Sequence, residues 1–523
     1  MSPSTLIAVP LAGKDLPTVQ AQTEQAVRAG AQILELRADY LLGLDVALIE
    51  TVLGAIRAMI PADMPVIVTC RDPREGGQNQ LSETTRLAVL QAALQAGIDF
   101  IDCELVNYRN PVVRDILDSA LRDRPRARLI LSSHDFNGPF ADLDARYRET
   151  VAANAQAIPK LVYAARHIND CFPAFDLIHA SDRDTILLCM GEAGLVSRIL
   201  AKKLGAFLTF ASLNTDSATA PGQLTVETLR CLYRGECLNA ESEVYGVVAD
   251  PVGHSKSPLI HNTCFTQQEM NRVYLPWWVA GGRDELFAFL EGLAQRPWLG
   301  VRGLSVSLPH KQAALDYVNE HQGQIEPLTE KIGATNTLLL ADTQGQGLAA
   351  FNTDYAGAMN AVCTALKISE QDLRGWSVAV IGAGGVSRAL VAALCQVGAE
   401  VTIYNRTLSK AQALAAAFDC KSTGLEALSS LNARLVINCT SVGMAPQVDD
   451  TPVPAATLAG VEAVFDTIYN PLETRLLREA HQQGAVCIDG LTMFVNQARA
   501  QFCLFTGQEP DTKLMRETVL KTL

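Results

Sequence analysis

The run "AIPKLVYAA" (157–165) sets one amine, Lys160, in an otherwise apolar stretch that reads as a strand buried on both faces. An unpaired ammonium buried there would cost several kcal/mol or be pushed toward its neutral form. Taken alone, the residue also reads as a strand-end lysine whose head snorkels to water. Other chemistry-bearing side chains stand in comparable places along the chain. "ELRAD" (35–39) carries Glu35 and Arg37, and "CRDPREGGQ" (70–78) carries Arg71 and Glu75. "RLILSSHD" (128–135) ends on His134 and Asp135, and "MGEAGLVSR" (190–198) closes on Arg198. A lysine among apolar groups and cations has a lowered pKa, and its free amine can form a Schiff base with a ketone. The iminium acidifies the neighbouring C–H, and a histidine that titrates near neutrality can take that proton. Several guanidinium forks suit a carboxylate-bearing substrate. The implied chemistry is a Schiff-base lyase or aldolase acting on a keto acid.

Positioning these groups requires a repeating scaffold. Residues 1–235 alternate strand and helix patterns. Strands are expected at 5–10, 31–39, 65–71, 100–105, 128–135, 158–165, 185–191 and 207–213, with amphipathic helices such as 18–29, 45–60, 83–96 and 111–121 between them. An open doubly wound sheet would alternate in the same way, but a count of eight favours a (β/α)8 barrel. In a barrel, chemistry collects at the C-terminal strand ends and the loops after them, where all the residues above fall. "TAPGQ" (219–223) follows the eighth strand.

In this order, "ELRAD", "CRDPREGGQ", "SSHDF", "IPK", "MGEAGLVSR" and "APGQ" resemble type I 3-dehydroquinate dehydratase over residues 5–235. The resemblance implies Lys160 as the imine-forming lysine, His134 as general acid/base and Glu75 as its hydrogen-bond partner. It places Glu35, Arg37, Arg71, Arg198, Thr219 and Gln223 around the substrate. Thr219 departs from the family, which usually has Ser there, but keeps the hydroxyl.

A polar stretch at 234–243 precedes a restart of the pattern at "VYGVVAD". Further on, "WSVAVIGAGGVSRALVAALCQVGAEVTIYNRT" (376–407) reads as strand, glycine turn, helix and second strand. Gly382, Gly384 and Gly385 would let the backbone approach a pyrophosphate at the helix N-terminus. About 20 residues beyond the turn, an NAD enzyme offers an acidic residue to the ribose. Here the residues are Asn405, Arg406 and Thr407, and a cation with a hydroxyl suits the 2′-phosphate of NADP. Upstream, "HSKSPLIHN", "SVSLPHK", "GATNT" and "FNTD" supply hydroxyls, amides, a lysine and a carboxylate suited to a polyhydroxylated substrate.

With "CTSVGM", "YNP" and "DGLTMFVNQA", these stretches resemble shikimate dehydrogenase over about 244–520. The resemblance implies Lys311 and Asp354 as the catalytic pair, and Ser255, Ser257, Ser307, Asn336, Tyr469 and Gln497 around the substrate. Along NADP it implies Gly382, Ala383, Gly384, Gly385 and Val386, then Asn405, Arg406 and Thr407, with Thr440 and Gly490. Ser307 departs from the usual Thr. The expected architecture is an α/β chain in four parts. These are a barrel at 1–238, a substrate lobe at 243–365, a Rossmann NADP lobe at 366–490, and C-terminal helices at 491–523 that return to the substrate lobe. Together the halves would dehydrate 3-dehydroquinate to 3-dehydroshikimate and reduce that to shikimate with NADPH.

Composition narrows the other readings. The chain has 523 residues, 48% hydrophobic, with a formal net charge of -13. An acidic chain without Lys/Arg blocks argues against nucleic acid as a partner, and no apolar run of about 18 residues suggests a membrane span. The 13 Cys are scattered without a CxxC pair, so reduced thiols are expected, not disulfides, and no metal site. No leader segment is visible, which favours a cytoplasmic setting. Two alternatives were weighed: an NAD-dependent quinate/shikimate dehydrogenase of quinate catabolism, and a non-catalytic metabolite-binding regulator. Arg406 argues against the first, and the retained Lys160, His134, Lys311 and Asp354 argue against the second.

Overall fold

The computed structural model describes residues 5–215, 219–340 and 347–523. The chain divides into two compact units: Met1–Glu243 with Asn271–Ala280, and Val244–Met270 with Gly281–Leu523. Among the described residues no helix is long and apolar enough to cross a membrane.

Eight strands of the first unit form one sheet: β1 (Leu6–Leu11), β2 (Ile33–Arg37), β3 (Val66–Thr69), β4 (Phe100–Glu104), β5 (Arg128–Asp135), β6 (Ile158–Ala164), β7 (Ile186–Met190) and β8 (Leu208–Phe210). They pair in the order β8-β1-β2-β3-β4-β5-β6-β7. The Phe207 N–H, just before β8, donates to the Thr185 carbonyl at 2.9 Å and nearly closes the barrel. Helices lie between the strands, at Leu16–Ala29, Val46–Met59, Glu83–Gln95 and Pro111–Arg122 among others. Their starts are set locally: the side chains of Asp15, Asp45, Ser82 and Asn110 accept from the first free N–H groups.

Strand periodicity layers the barrel interior. Ala8, Ile33, Ile67, Phe100, Ile130, Ile158, Ile186 and Leu208 form an apolar floor. Two residues further along, on the same face of each strand, stand Glu35, Thr69, Asp102, Ser132, Lys160, Leu188 and Phe210. The chemistry therefore begins one layer above the floor.

Several strands are shorter than the sequence suggests, and two of these bear on the site. β3 stops at Thr69, so Arg71 stands in the loop and not on the strand. The carboxylate of Asp72 accepts from the Arg74 N–H at 2.8 Å and starts a tight turn there. β8 stops at Phe210, because the Ser212 N–H turns away to the Leu224 carbonyl at 2.8 Å.

The second unit holds two layers of strand pairing. In one, Val301–Val306 runs parallel to Glu243–Ala249 and antiparallel to Thr337–Leu339. Ala349–Phe351 and Gln324–Ile325 extend that sheet. The other is fully parallel, with spatial order Lys421–Thr423, Glu400–Tyr404, Ser377–Ile381, Leu435–Asn438, Ala463–Asp466, Val486–Ile488. Numbered along the chain this is 3-2-1-4-5-6, the doubly wound order whose switch point lies beside the first strand. The helix Gly490–Thr506 leaves the last strand and returns to the other sheet. Its Gln501 Nε2 donates to the Asn336 carbonyl at 3.1 Å, and its Oε1 accepts from Ser305 Oγ at 2.8 Å.

One glycine holds the loop that follows β3. A Cβ on Gly77 would lie 2.1 Å from the Arg71 carbonyl oxygen, a backbone atom that cannot swing aside. Gly77→Ala is expected to destabilise the first unit by about 1–3 kcal/mol, read as a lower urea or thermal midpoint. An unchanged midpoint would mean the loop can be re-routed freely.

Candidate active sites

The barrel mouth encloses a cavity of about 260 Å³ lined by Glu35, Arg37, Arg71, Glu75, His134, Lys160, Arg198, Thr219 and Gln223. All the side chains expected at the first site therefore meet in one place. Their surroundings differ from expectation at Lys160. Its Nζ donates to Asp102 Oδ2 at 2.8 Å, lies 3.5 Å from Glu35 Oε1 and sits 4.7 Å above the Phe210 ring. The expected apolar environment is corrected to an ionic one, because β4 brings carboxylates to the same layer.

Arg71 is also saturated from within. It grips Asp102 through both terminal nitrogens, at 3.0 and 2.9 Å, and its Nη1 also reaches Glu104 at 2.9 Å and Ser132 at 2.7 Å. Burial would lower its pKa, but Asp102 and Glu104 outweigh that and raise it. Arg37 is clamped by Asp39 at 2.9 and 2.8 Å. Arg198 differs: it is buried, and its Nε has no hydrogen-bond partner among the described residues. Burial lowers its pKa to about 10, and no carboxylate among the described residues pairs with it. The Gln223 Oε1 accepts from the Thr219 N–H at 2.8 Å and holds the loop against the mouth.

His134 Nδ1 lies 2.9 Å from Glu75 Oε2, which also accepts from the His134 backbone N–H at 3.0 Å. Burial, reinforced by the charges of Arg71 and Lys160, holds the imidazole pKa well below its ordinary value. Burial pushes the Glu75 carboxyl up to about 7, against the pull of Arg71. With Glu75 ionised and Nδ1 donating to it, Nε2 keeps its lone pair and can accept a proton.

Sequence reasoning missed Asp102, Glu104 and Ser132. The signal was present in "FIDCEL": two carboxylates spaced by two on a short strand share one face. It also missed Gln501, one helical turn beyond Gln497, which forms a buried bridge.

The second unit has its own cavity, of about 380 Å³, lined by Ser255, Ser257, Ser307, Lys311, Asn336, Asp354, Val386, Tyr469, Gly490 and Gln497. Lys311 opens the helix Lys311–Glu320, and Asp354 lies in the first turn of Thr353–Leu366. Asn352 caps that turn, accepting from the Asp354 N–H at 3.1 Å. Lys311 Nζ and Asp354 Oδ2 are 2.5 Å apart, and Asn336 Nδ2 donates to Asp354 Oδ1 at 2.9 Å. Lysine and carboxylate are thus held as one unit facing the cavity. Tyr469 stacks on Phe494, with centroids 5.2 Å apart, at the opposite wall.

The glycine turn stands at the switch point of the parallel sheet. Gly382 has φ of +111°, and its N–H donates to the Tyr404 carbonyl at 2.8 Å. A Cβ there would press on the Cys439 carbonyl and Thr440, both at 3.1 Å. Added Cβ atoms on Gly384 and Gly385 would meet nothing within 4 Å, so the backbone faces open space at the start of helix Gly385–Gln396. Asn405, Arg406 and Thr407 follow the adjacent strand, and Arg406 is exposed with no ion-pair partner among the described residues. Open space beside the glycine backbone, a helix N-terminus and a neighbouring cation fit a dinucleotide phosphate chain.

Comparison with known proteins finds several family models along the chain. Family models match type I 3-dehydroquinase at residues 7–236 and the shikimate dehydrogenase substrate binding domain at 247–338. Shikimate / quinate 5-dehydrogenase matches at 364–443, and the shikimate 5'-dehydrogenase C-terminal domain at 490–520. A solved structure of the dehydroquinate dehydratase and shikimate dehydrogenase from S. pombe AroM is 25% identical, with a TM-score of 0.44, over 99% of this chain and 98% of that one. A shikimate dehydrogenase (NADP(+)) of Methanosarcina mazei is 38% identical over 54% of this chain and 99% of its own length. The chloroplastic bifunctional 3-dehydroquinate dehydratase/shikimate dehydrogenase of Arabidopsis thaliana is 36% identical over 96% of this chain and 82% of its own length. The chain belongs to the bifunctional 3-dehydroquinate dehydratase/shikimate dehydrogenase family.

Proposed function

We propose that the chain carries out two consecutive steps: dehydration of 3-dehydroquinate to 3-dehydroshikimate through a Schiff base, then NADPH-dependent reduction to shikimate. The observation that carries this reading is that one chain holds both a lysine–histidine–glutamate set and a separate lysine–aspartate pair, each lining its own cavity. In the first site Lys160 attacks the ring ketone. His134, neutral and steadied by Glu75, takes the proton beside the iminium and returns it to the departing hydroxyl, which leaves as water. Hydrolysis then restores the ketone and the lysine. The substrate carboxylate falls to Arg198, since Arg37 and Arg71 are already paired with internal carboxylates and Arg198 Nε has no partner among the described residues.

In the second site, bound NADPH supplies a hydride to the ketone carbon. Gly382–Val386, Thr440 and Gly490 would hold its phosphates and nicotinamide end, and Asn405, Arg406 and Thr407 the 2′-phosphate. Lys311 gives a proton to the carbonyl oxygen as negative charge builds there. Asp354 orients Lys311 and accepts from a ring hydroxyl, while Asn336 fixes Asp354. Ser255, Ser257, Ser307, Tyr469 and Gln497 complete the substrate pocket. Thirteen free thiols support a reducing compartment, and we place the protein in the cytoplasm. Supplying 3-dehydroquinate and NADPH together tests the whole: NADPH should be consumed with shikimate as product, and NADPH that persists while the acid is untouched would sink the two-step reading.

Lys160→Met should abolish dehydration yet leave reduction of 3-dehydroshikimate intact. Borohydride added with 3-dehydroquinate should leave a covalent adduct on Lys160 of the wild type. Full dehydratase turnover in the variant would exclude the imine.

The Glu75–His134 pair sets the pH response. Glu75 is ionised above its raised pKa of about 7 and gains a proton below it, so the base is lost as pH falls. Dehydratase kcat/KM should fall about tenfold per pH unit below about pH 7, while the reductase half of the same sample does not follow. A flat dehydratase profile between about pH 6 and 8 would contradict the arrangement.

Arg406 should discriminate cofactors. A charge-assisted contact is worth roughly 1.5–3 kcal/mol, so Arg406→Ala should weaken NADPH about tenfold to a hundredfold and barely change NADH. Equal losses for both would assign the residue to the fold instead.

A further inference from the structure

Lys160 rests against a carboxylate that no step above uses. Asp102 is fully buried and accepts four hydrogen bonds: two from Arg71, one from Ser132 at 2.6 Å and one from Lys160 at 2.8 Å. Other carboxylates nearby are committed elsewhere. Glu35 lies 3.5 Å from the amine and accepts from Thr69 at 2.7 Å, and Glu75 is bound to His134. Glu104 takes Arg71 at 2.9 Å, the Asp72 N–H at 3.0 Å and Asn107 at 2.8 Å.

The charge balance of imine formation explains why a carboxylate should stand there. An ammonium and a ketone give an iminium and water: the N–C bond forms, the C–O bond breaks, and the carbonyl oxygen departs with two of the three ammonium protons. One proton and one positive charge stay on the same nitrogen. A counter-ion placed against the ammonium is therefore already placed against the iminium, and nothing in the buried network has to reorganise. Were the imine to lose its proton, it would cease to withdraw electrons from the neighbouring C–H, and His134 would have no acidic proton to take.

Resting on the reading of Lys160 as the imine-forming residue, we propose that Asp102 is the counter-ion of that iminium and keeps its nitrogen protonated from the time the imine forms until it is hydrolysed. Asp102 is suited to this by its fixed charge. Burial would push its carboxyl up, but Arg71 and then Lys160 hold it well below the ordinary carboxylate range. Arg71 and Ser132 also fix its orientation, so the carboxylate cannot follow a departing proton.

Asp102→Asn in the full chain keeps the shape and removes the charge. Dehydratase kcat should fall by about a hundredfold or more, with KM for 3-dehydroquinate changed less than about threefold. Borohydride trapping on Lys160 should slow by a similar factor. Wild-type kcat in the variant would overturn the proposal. A second measurement needs no variant: with ¹⁵N-labelled lysine and 3-dehydroquinate, the wild-type imine nitrogen should carry a directly bonded proton up to about pH 9. An imine nitrogen without that proton near neutrality overturns the proposal even if the variant does not fold. Absence of any Lys160 adduct in the wild type would instead refute the imine reading itself, a result distinct from either.

Discussion

Two cations buried side by side inside the barrel, Arg71 and Lys160, are the constraint on which the first site depends. Neither could remain charged there alone, since removing an ion from water costs several kcal/mol even after relaxation. Asp102 answers both at once, and Glu104, two residues further along β4, answers Arg71 again. Strand periodicity makes this work, because the two carboxylates share the inward face directly above an apolar floor. The same network sets the electrostatics of its neighbours: the charges of Arg71 and Lys160 add to burial in keeping His134 neutral. A base that is neutral and an amine that is paired are two consequences of one arrangement.

The second unit solves a comparable problem with less burial. Lys311 and Asp354 each stand at the start of a helix; Asn336 donates to the Asp354 carboxylate, and Asn352 accepts from the Asp354 backbone N–H. An anion is favoured in the first helical turn, so Asp354 sits where the helix dipole supports its charge. Gly382 turns the chain at the switch point of the parallel sheet, where neighbouring strands diverge and leave a crevice. Position in the sheet order, more than any single side chain, makes that crevice available to a dinucleotide.

Much of this was legible in the sequence, and the pattern of what was missed is instructive. Eight strand–helix alternations and a glycine turn between two strands are local signals, and each element lies within a few residues of its expected range. Site residues at strand ends were legible because polar groups interrupt apolar runs there. Asp102 and Glu104 were passed over because a carboxylate in a short strand also reads as a solvent-facing position, and only barrel closure turns both inward. The apolar surroundings expected of Lys160 failed for the same reason: its partners come from β2 and β4, far away in sequence. Arg71 was expected at a strand end, but the Asp72 turn shortens β3 and swings the guanidinium into the network.

Which cations are paired decides what the barrel can recognise. Arg37 and Arg71 look alike in sequence to Arg198, and all three line the cavity. The first two are held by two-point contacts to Asp39 and Asp102, so their charge is balanced within the protein and their position is fixed. Arg198 is buried, depressed in pKa and lacks a carboxylate partner among the described residues. A buried cation in that state gains most from a ligand that brings its own negative charge, because pairing relieves desolvation already incurred in folding. On the proposed reading, the paired arginines would serve as rigid walls of the cavity, and the unpaired one would select for the carboxylate. An anion anchored at Arg198 would orient the ring by one fixed point, and the remaining freedom would be taken up when the ketone meets Lys160. Recognition and chemistry would then use different cations, with Asp39 and Asp102 keeping them apart.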